Sequence, residues 1–229
     1  VSGHLVFAQQ RPTMAATFHF ADLRPSDVAS RLESGEILTR LDLPLSGSID
    51  AKIRKDGALE ALAFEIEGTA GSVAGDVVIP SDRGDITVSA RLVDLKIVDF
   101  ARVLPDLTAL LMLDVPIAGG VVGKFTRDGE VRAFNFDLTG GKGWLDLKDK
   151  LPAPIEVTGL RLKGVVEDGL FHASLDEAFI DFGGPSLSVD ASAYRLGENY
   201  RVRLDAALNE LPMGDLKSYW PIGLGVTAR

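Results

Sequence analysis

From Leu45 the chain alternates: Leu45, Gly47, Ile49, Ala51 and Ile53 share one parity, and Ser46, Ser48, Asp50, Lys52 and Arg54 take the other. A period of two predicts a strand with one buried and one solvated face. Lys55-Asp56-Gly57 supplies a turn, and Leu62, Phe64 and Ile66 then alternate with Ala63, Glu65 and Glu67, so the two runs form a hairpin. A second hairpin carries Val121 and Phe125, the turn Arg127-Asp128-Gly129, then Phe134, Phe136 and Leu138. Further strands are predicted at Leu5 to Ala8, Ala15 to Phe20, Val73 to Ile79 and Ile86 to Leu92. Beyond the second hairpin they follow at Trp144 to Lys148, Ile155 to Val166, Leu170 to Leu175, Ala178 to Phe182, Leu187 to Ala193 and Val202 to Leu208. Strands joined by tight turns are antiparallel. The expected fold is mainly β, a repeated antiparallel meander forming an elongated curled sheet or groove, with one short helix per repeat.

The two hairpins are copies. Asp22 to Gly71 aligns without a gap on Asp94 to Gly143, 72 residues later, with 17 of 50 positions identical; Asp22/Asp94, Asp27/Asp99, Pro44/Pro116, Gly47/Gly119, Asp56/Asp128 and Phe64/Phe136 are among them. A third copy opens at Glu210-Leu211. Self-similarity at a long period means stacked supersecondary units. The organisation read from it is 1–21, the end of a preceding β unit; 22–93, a first repeat; 94–209, a longer second repeat; and 210–229, the start of a third. Each repeat opens on a short helix, predicted near Pro25 to Ser34 and Ile97 to Leu104, with Val28, Ala29 and Leu32, or Phe100, Ala101 and Leu104, on its apolar side. The opening at Val1, inside a strand, reads as an internal piece of a longer protein.

Charge removes one class of partner. With 33 acidic against 24 basic residues, net charge −9, the chain has no basic surface for nucleic acid. It contains no cysteine, hence no disulfide framework and no thiolate metal site, which suits a periplasmic chain. The longest apolar candidate, Leu107 to Leu113, is about a third of the roughly 18 residues a membrane helix needs.

Catalytic chemistry has no obvious carrier. His4, His19 and His172 are scattered, without metal-ligand spacing, and read as strand residues. The recurring carboxylates Asp27 and Asp99 fall in the first turn of a helix, where they complement the macrodipole and cap free amides. Gly119-Gly120, Gly140-Gly141 and Gly183-Gly184 precede no helix in a phosphate-cradling arrangement and read as turns and bulges at strand ends. Tyr219-Trp220-Pro221 reads as a packed helix end. Neither an enzyme, a cofactor nor a bound metal is expected.

What remains is the apolar parity. A sheet greasy on one side either closes into a sandwich or curls into a trough that holds something apolar. Its lining would be Ile49, Ile53, Leu62, Phe64 and Ile66 in the first repeat and Val121, Phe125, Phe134, Phe136 and Leu138 in the second. The acidic-Leu openings at Asp22, Asp94 and Glu210, the Leu-Asp-hydrophobic-Pro runs from Leu41 and Leu113, and Leu216-Lys217-Ser218-Tyr219-Trp220-Pro221 resemble the AsmA-like superfamily, most closely its large YhdP-type members. The resemblance implies a periplasmic segment of a protein anchored to the inner membrane of a Gram-negative bacterium. Such a segment carries phospholipid acyl chains towards the outer membrane along a β groove, supports the permeability barrier, and meets membrane components through other parts of the full-length protein. The competing class is a non-catalytic module that spaces or scaffolds envelope components.

Overall fold

The computed structural model describes residues 2–6, 14–29, 43–82, 84–102, 105–148, 150–169, 171–212 and 214. Its main element is a sheet of twelve antiparallel strands, in the order β1 (Ser2–Val6), β2 (Met14–Leu23), β3 (Leu45–Ile53), β4 (Leu59–Gly68), β5 (Gly71–Val78), β6 (Ile86–Lys96), β8 (Pro116–Phe125), β9 (Val131–Gly140), β12 (Gly159–Glu167), β13 (His172–Asp181), β14 (Ser186–Leu196) and β15 (Asn199–Asn209). Every strand pairs with the next one of this set along the chain, so the sheet is a meander that does not close. Twelve strands at the usual spacing of about 4.8 Å span about 50 Å from edge to edge.

The remaining strands form a separate three-stranded sheet, β11 (Ile155–Val157), β10 (Gly143–Leu145) and β7 (Leu113–Asp114). In the first repeat, β4 passes to β5 through Thr69 and Ala70 alone. In the second repeat, residues 141–158 stand where those two do, and this longer loop carries β10 and β11. It pins itself by pairing with β7, at a separation so small that a Cβ on Gly143 would lie 2.0 Å from the Asp114 carbonyl oxygen. One side of this small sheet packs on the large one, burying Val115, Ile117, Leu145, Val157 and Leu160 against Leu138, Leu162 and Ile180.

Two α-helices are described, α1 (Pro25–Ala29) and α2 (Ile97–Ala101), with a 3-10 helix at Pro105–Met112. Both α-helices begin where expected. The expected extension of the first to Ser34 falls outside the described residues, and α2 stops at Ala101, with Arg102 as its last, half-helical residue. It buries Val98 and Ala101, and Phe100 is only half-buried. Asp99 does not cap α2: Lys96 holds the capping position without a side-chain bond, and Asp99 pairs at 2.8 Å with Arg102 one turn on.

Three further expectations change. The run from Ile155 to Val166 is not one strand, because the chain leaves the small sheet and enters the large one at Thr158, whose N–H and hydroxyl both donate to the Asp181 carbonyl. Trp144 to Lys148 shortens to β10. Leu170 to Leu175 and Ala178 to Phe182 merge into β13, whose bulge between Leu175 and Ala178 had looked like a break in the pattern. Gly119-Gly120 lies inside β8 and not at its end, since Gly119 at φ 137° lets the Asp137 carbonyl approach to where a Cβ would stand.

The repeat is visible in the backbone. The bulge between Phe20 and Leu23 recurs between Leu92 and Leu95, 72 residues on. Asp22, Asp94 and Glu210 are left-handed at φ 51°, 50° and 54°. Each hairpin closes with the same pair of bonds, Arg54 N–H to Ala58 carbonyl and Gly57 N–H to Arg54 carbonyl in one, Thr126 N–H to Glu130 and Gly129 N–H to Thr126 in the other. At Asp22 and Asp94 the repeat is therefore a conformational signature, because a short polar side chain tolerates the left-handed region better than a bulky one.

Candidate functional site

The registers decide how the two hairpins relate. Read across the sheet, partners run Phe18, Ile49, Phe64, Gly75, Ala90, Val121, Phe136, Gly164, Leu175, Ala191, Leu204. Partnered residues face the same side of a sheet, so this is a single apolar row crossing eleven strands. The row beside it on the same face runs Phe20, Gly47, Ile66, Val73, Leu92, Gly119, Leu138, Leu162, Ala178, Val189, Ala206. Neither row contains a charge or a side chain able to hydrogen-bond.

The opposite face is its inverse. Ser48, Glu65, Ala74, Arg91, Gly120, Asp137, Lys163 and Glu177 are successive partners, and carboxylates neighbour cations from Arg91 onward across Asp137, Lys163 and Glu177. All ten lining candidates fall on the apolar face: Ile49, Ile53, Leu62, Phe64 and Ile66, together with Val121, Phe125, Phe134, Phe136 and Leu138. Every one is half-buried, whereas Asp50, Lys52, Glu65, Glu67 and Asp137 on the other parity are exposed.

Two glycines shape that face. The Phe64 ring lies over Gly75, with Cζ 2.9 Å from where a Cβ would be, and the Phe136 ring lies over Gly164 in the same way, at 2.7 Å. Each phenylalanine therefore lies along the sheet across its neighbour strand, leaving a smooth apolar surface and not a comb of projecting rings. Sequence reading found both phenylalanines but not the glycines beneath them. Gly164 is separated from Phe136 by the long loop and finds it only through the β9 to β12 pairing.

The cover over this face is partial. Among the described residues, those buried in a cluster lie under the small sheet. From β2 to the end of the first repeat Ala16 and Ala70 are the buried hydrophobic residues among those described, and Met14 and Phe18 near one edge are 40% and 47% exposed. At the other edge Val202, Leu204 and Leu208 of β15 are 63%, 63% and 45% exposed. Contiguous apolar surface of this extent is unusual on a soluble monomer and marks a site for an apolar ligand, a membrane or a protein.

The described histidine side chains, His19 and His172, lie apart from one another. His19 is exposed, and His172 stacks on Tyr194 at 4.5 Å with Glu167 at 3.6 Å. No group of three or more metal-ligating side chains occurs among the described residues, and no helix among them is long and apolar enough to cross a membrane. Tyr219-Trp220-Pro221 lies outside the described residues. No protein-family model, curated protein or solved structure matches this chain.

Proposed function

We propose that this chain is a section of an AsmA-like lipid conduit, which moves phospholipid between the inner and outer membranes of a Gram-negative envelope by letting acyl chains run along the apolar face of the open sheet. One observation supports the reading above the rest: residues from β2 to β15 align, partner by partner, into unbroken apolar rows. Acyl chains laid on these rows gain about 0.8 kcal/mol for each CH₂ withdrawn from water. The charged outer face keeps the other side in solvent. An open sheet with this polarity suits transport better than a spacer, whose apolar parity would be closed on itself.

The test is photo-crosslinking with a probe amino acid placed at Phe64, Phe136, Glu65 and Asp137 in the chain expressed in the periplasm. We predict phospholipid adducts at Phe64 and Phe136, and none at Glu65 and Asp137. A Phe64→Asp or Phe136→Asp variant that still folds should lower adduct yield at the other site, because an unpaired charge on the rows is costly to desolvate. Adducts at both parities, or at neither, would remove the conduit and leave a scaffolding module as the better account.

A further inference from the structure

The 72-residue repeat reaches the first edge of the sheet. β1 pairs with β2 in the register that β5 keeps with β6: Gly3 stands opposite Phe18 as Gly75 stands opposite Ala90, and Ser2 opposite His19 as Ala74 opposite Arg91. β1 therefore holds the place of β5, and Gly3 the place of Gly75. On its other side β5 takes β4, and there the Phe64 ring lies over Gly75. The second repeat builds the same seam from other strands, with Phe136 of β9 over Gly164 of β12. Gly3 is a third glycine in that row, but β1 ends the sheet and pairs with no described strand on its far side.

We propose that the free edge of β1 is an interaction surface that takes up one further strand of this repeat, antiparallel, with a phenylalanine seated over Gly3. An open edge offers its N–H and C=O groups to an extended segment, so the backbone supplies affinity and the side-chain pattern supplies the choice of partner. The pattern required is that of β4, with Leu62, Phe64 and Ile66 on one parity and small or acidic residues between them. Phenylalanine is what the seat selects, because bare backbone at a glycine lets a flat ring lie across the strand, as it does at Gly75 and Gly164. The added ring extends the row that runs from Gly3 through Phe18, Ile49 and Phe64. This seam stands on the registers and holds whatever runs along the rows, so lipid crosslinking at Phe64 and Phe136 neither supports nor weakens it.

The chain has no cysteine, so an introduced thiol reports register through the disulfide it forms. In the β4 to β5 pairing Ala63 faces Asp76 and Glu65 faces Ala74, which places Ala63 of an added β4 strand opposite His4, and Glu65 opposite Ser2. The probes are synthetic peptides of Leu59–Gly68 carrying Ala63→Cys or Glu65→Cys. Each is mixed in a glutathione buffer with the full chain carrying His4→Cys or Ser2→Cys, both chains first shown by circular dichroism to keep their strand content. The matched pairs, His4→Cys with Ala63→Cys and Ser2→Cys with Glu65→Cys, should give at least about tenfold more mixed disulfide than the crossed pairs, whose diagonal separation strains the bond. Adding Phe64→Ala to the peptide should lower both matched yields at least about tenfold, since a seated aromatic carries much of the energy of a small interface. Equal yields from matched and crossed pairs, or no disulfide from either matched pair, would overturn the assignment. So would an undiminished yield with the Phe64→Ala peptide, or as much disulfide with an Arg203→Cys chain, whose thiol lies on β15 at the opposite edge.

Discussion

At the scale of single residues, the repeated acids are the most informative positions, and their meaning changed once the backbone was known. Asp22, Asp94 and Glu210 stood out in the sequence as a repeat, but spacing alone does not reveal that each is left-handed. Asp94 sits in the bulge of β6 between Leu92 and Leu95, after which Leu95 and Lys96 pair with β8 again and α2 begins at Ile97. We predict that Asp94→Asn changes stability by less than about 0.5 kcal/mol, since Asn shares the tolerance for positive φ, and that Asp94→Val costs about 1–2 kcal/mol. Urea denaturation reads both, and a change in midpoint at constant slope identifies a stability effect. A neutral valine would show that the left-handed residue is not what the repeat preserves. The residues outside the small sheet were illegible for a different reason. Asp114, Trp144 and Asp146 meet only through the β7 to β10 pairing, and strands of two and three residues leave no periodicity to detect.

At the scale of elements, alternation made the long strands legible because one face is apolar from end to end. Alternation alone places Ile49, Phe64, Val121 and Phe136 on a common side, since a shift of one residue would turn every one of them outward. Boundaries failed where tertiary pairing overrides pattern, as at Thr158 and at the bulge in β13. The elements also differ in how they are held. Ile117 is 1% exposed beneath the small sheet, so Ile117→Ala leaves a cavity and should cost about 2–5 kcal/mol. Phe64 is larger but only half-buried, and among the described residues no layer packs on it in the way that the small sheet packs on Ile117. We predict that Phe64→Ala costs less than Ile117→Ala, by thermal or urea unfolding of the lipid-free chain. The reverse order would mean that something does pack on the apolar rows, and the open face would have been misread.

At the scale of the whole molecule, an open meander has two edges. The described β15 pairs with β14 on one side, and all of its residues are exposed. Its apolar side presents Val202, Leu204 and Leu208, while Arg203 and Asp205, 2.9 Å apart, occupy the other. Such an edge is a template for another strand, and its sequence is self-complementary. An antiparallel copy centred on Leu204 would set Arg203 against Asp205 of the other strand twice over and keep both apolar sides together. We predict that the isolated chain associates reversibly as its concentration rises, seen by sedimentation velocity. Leu204→Lys should shift that association to higher concentration, because a charge on the apolar side opposes pairing, while Tyr194→Lys, on the polar side of β14, should not. If Leu204→Lys left the sedimentation profile unchanged, β15 would not be the edge through which copies meet.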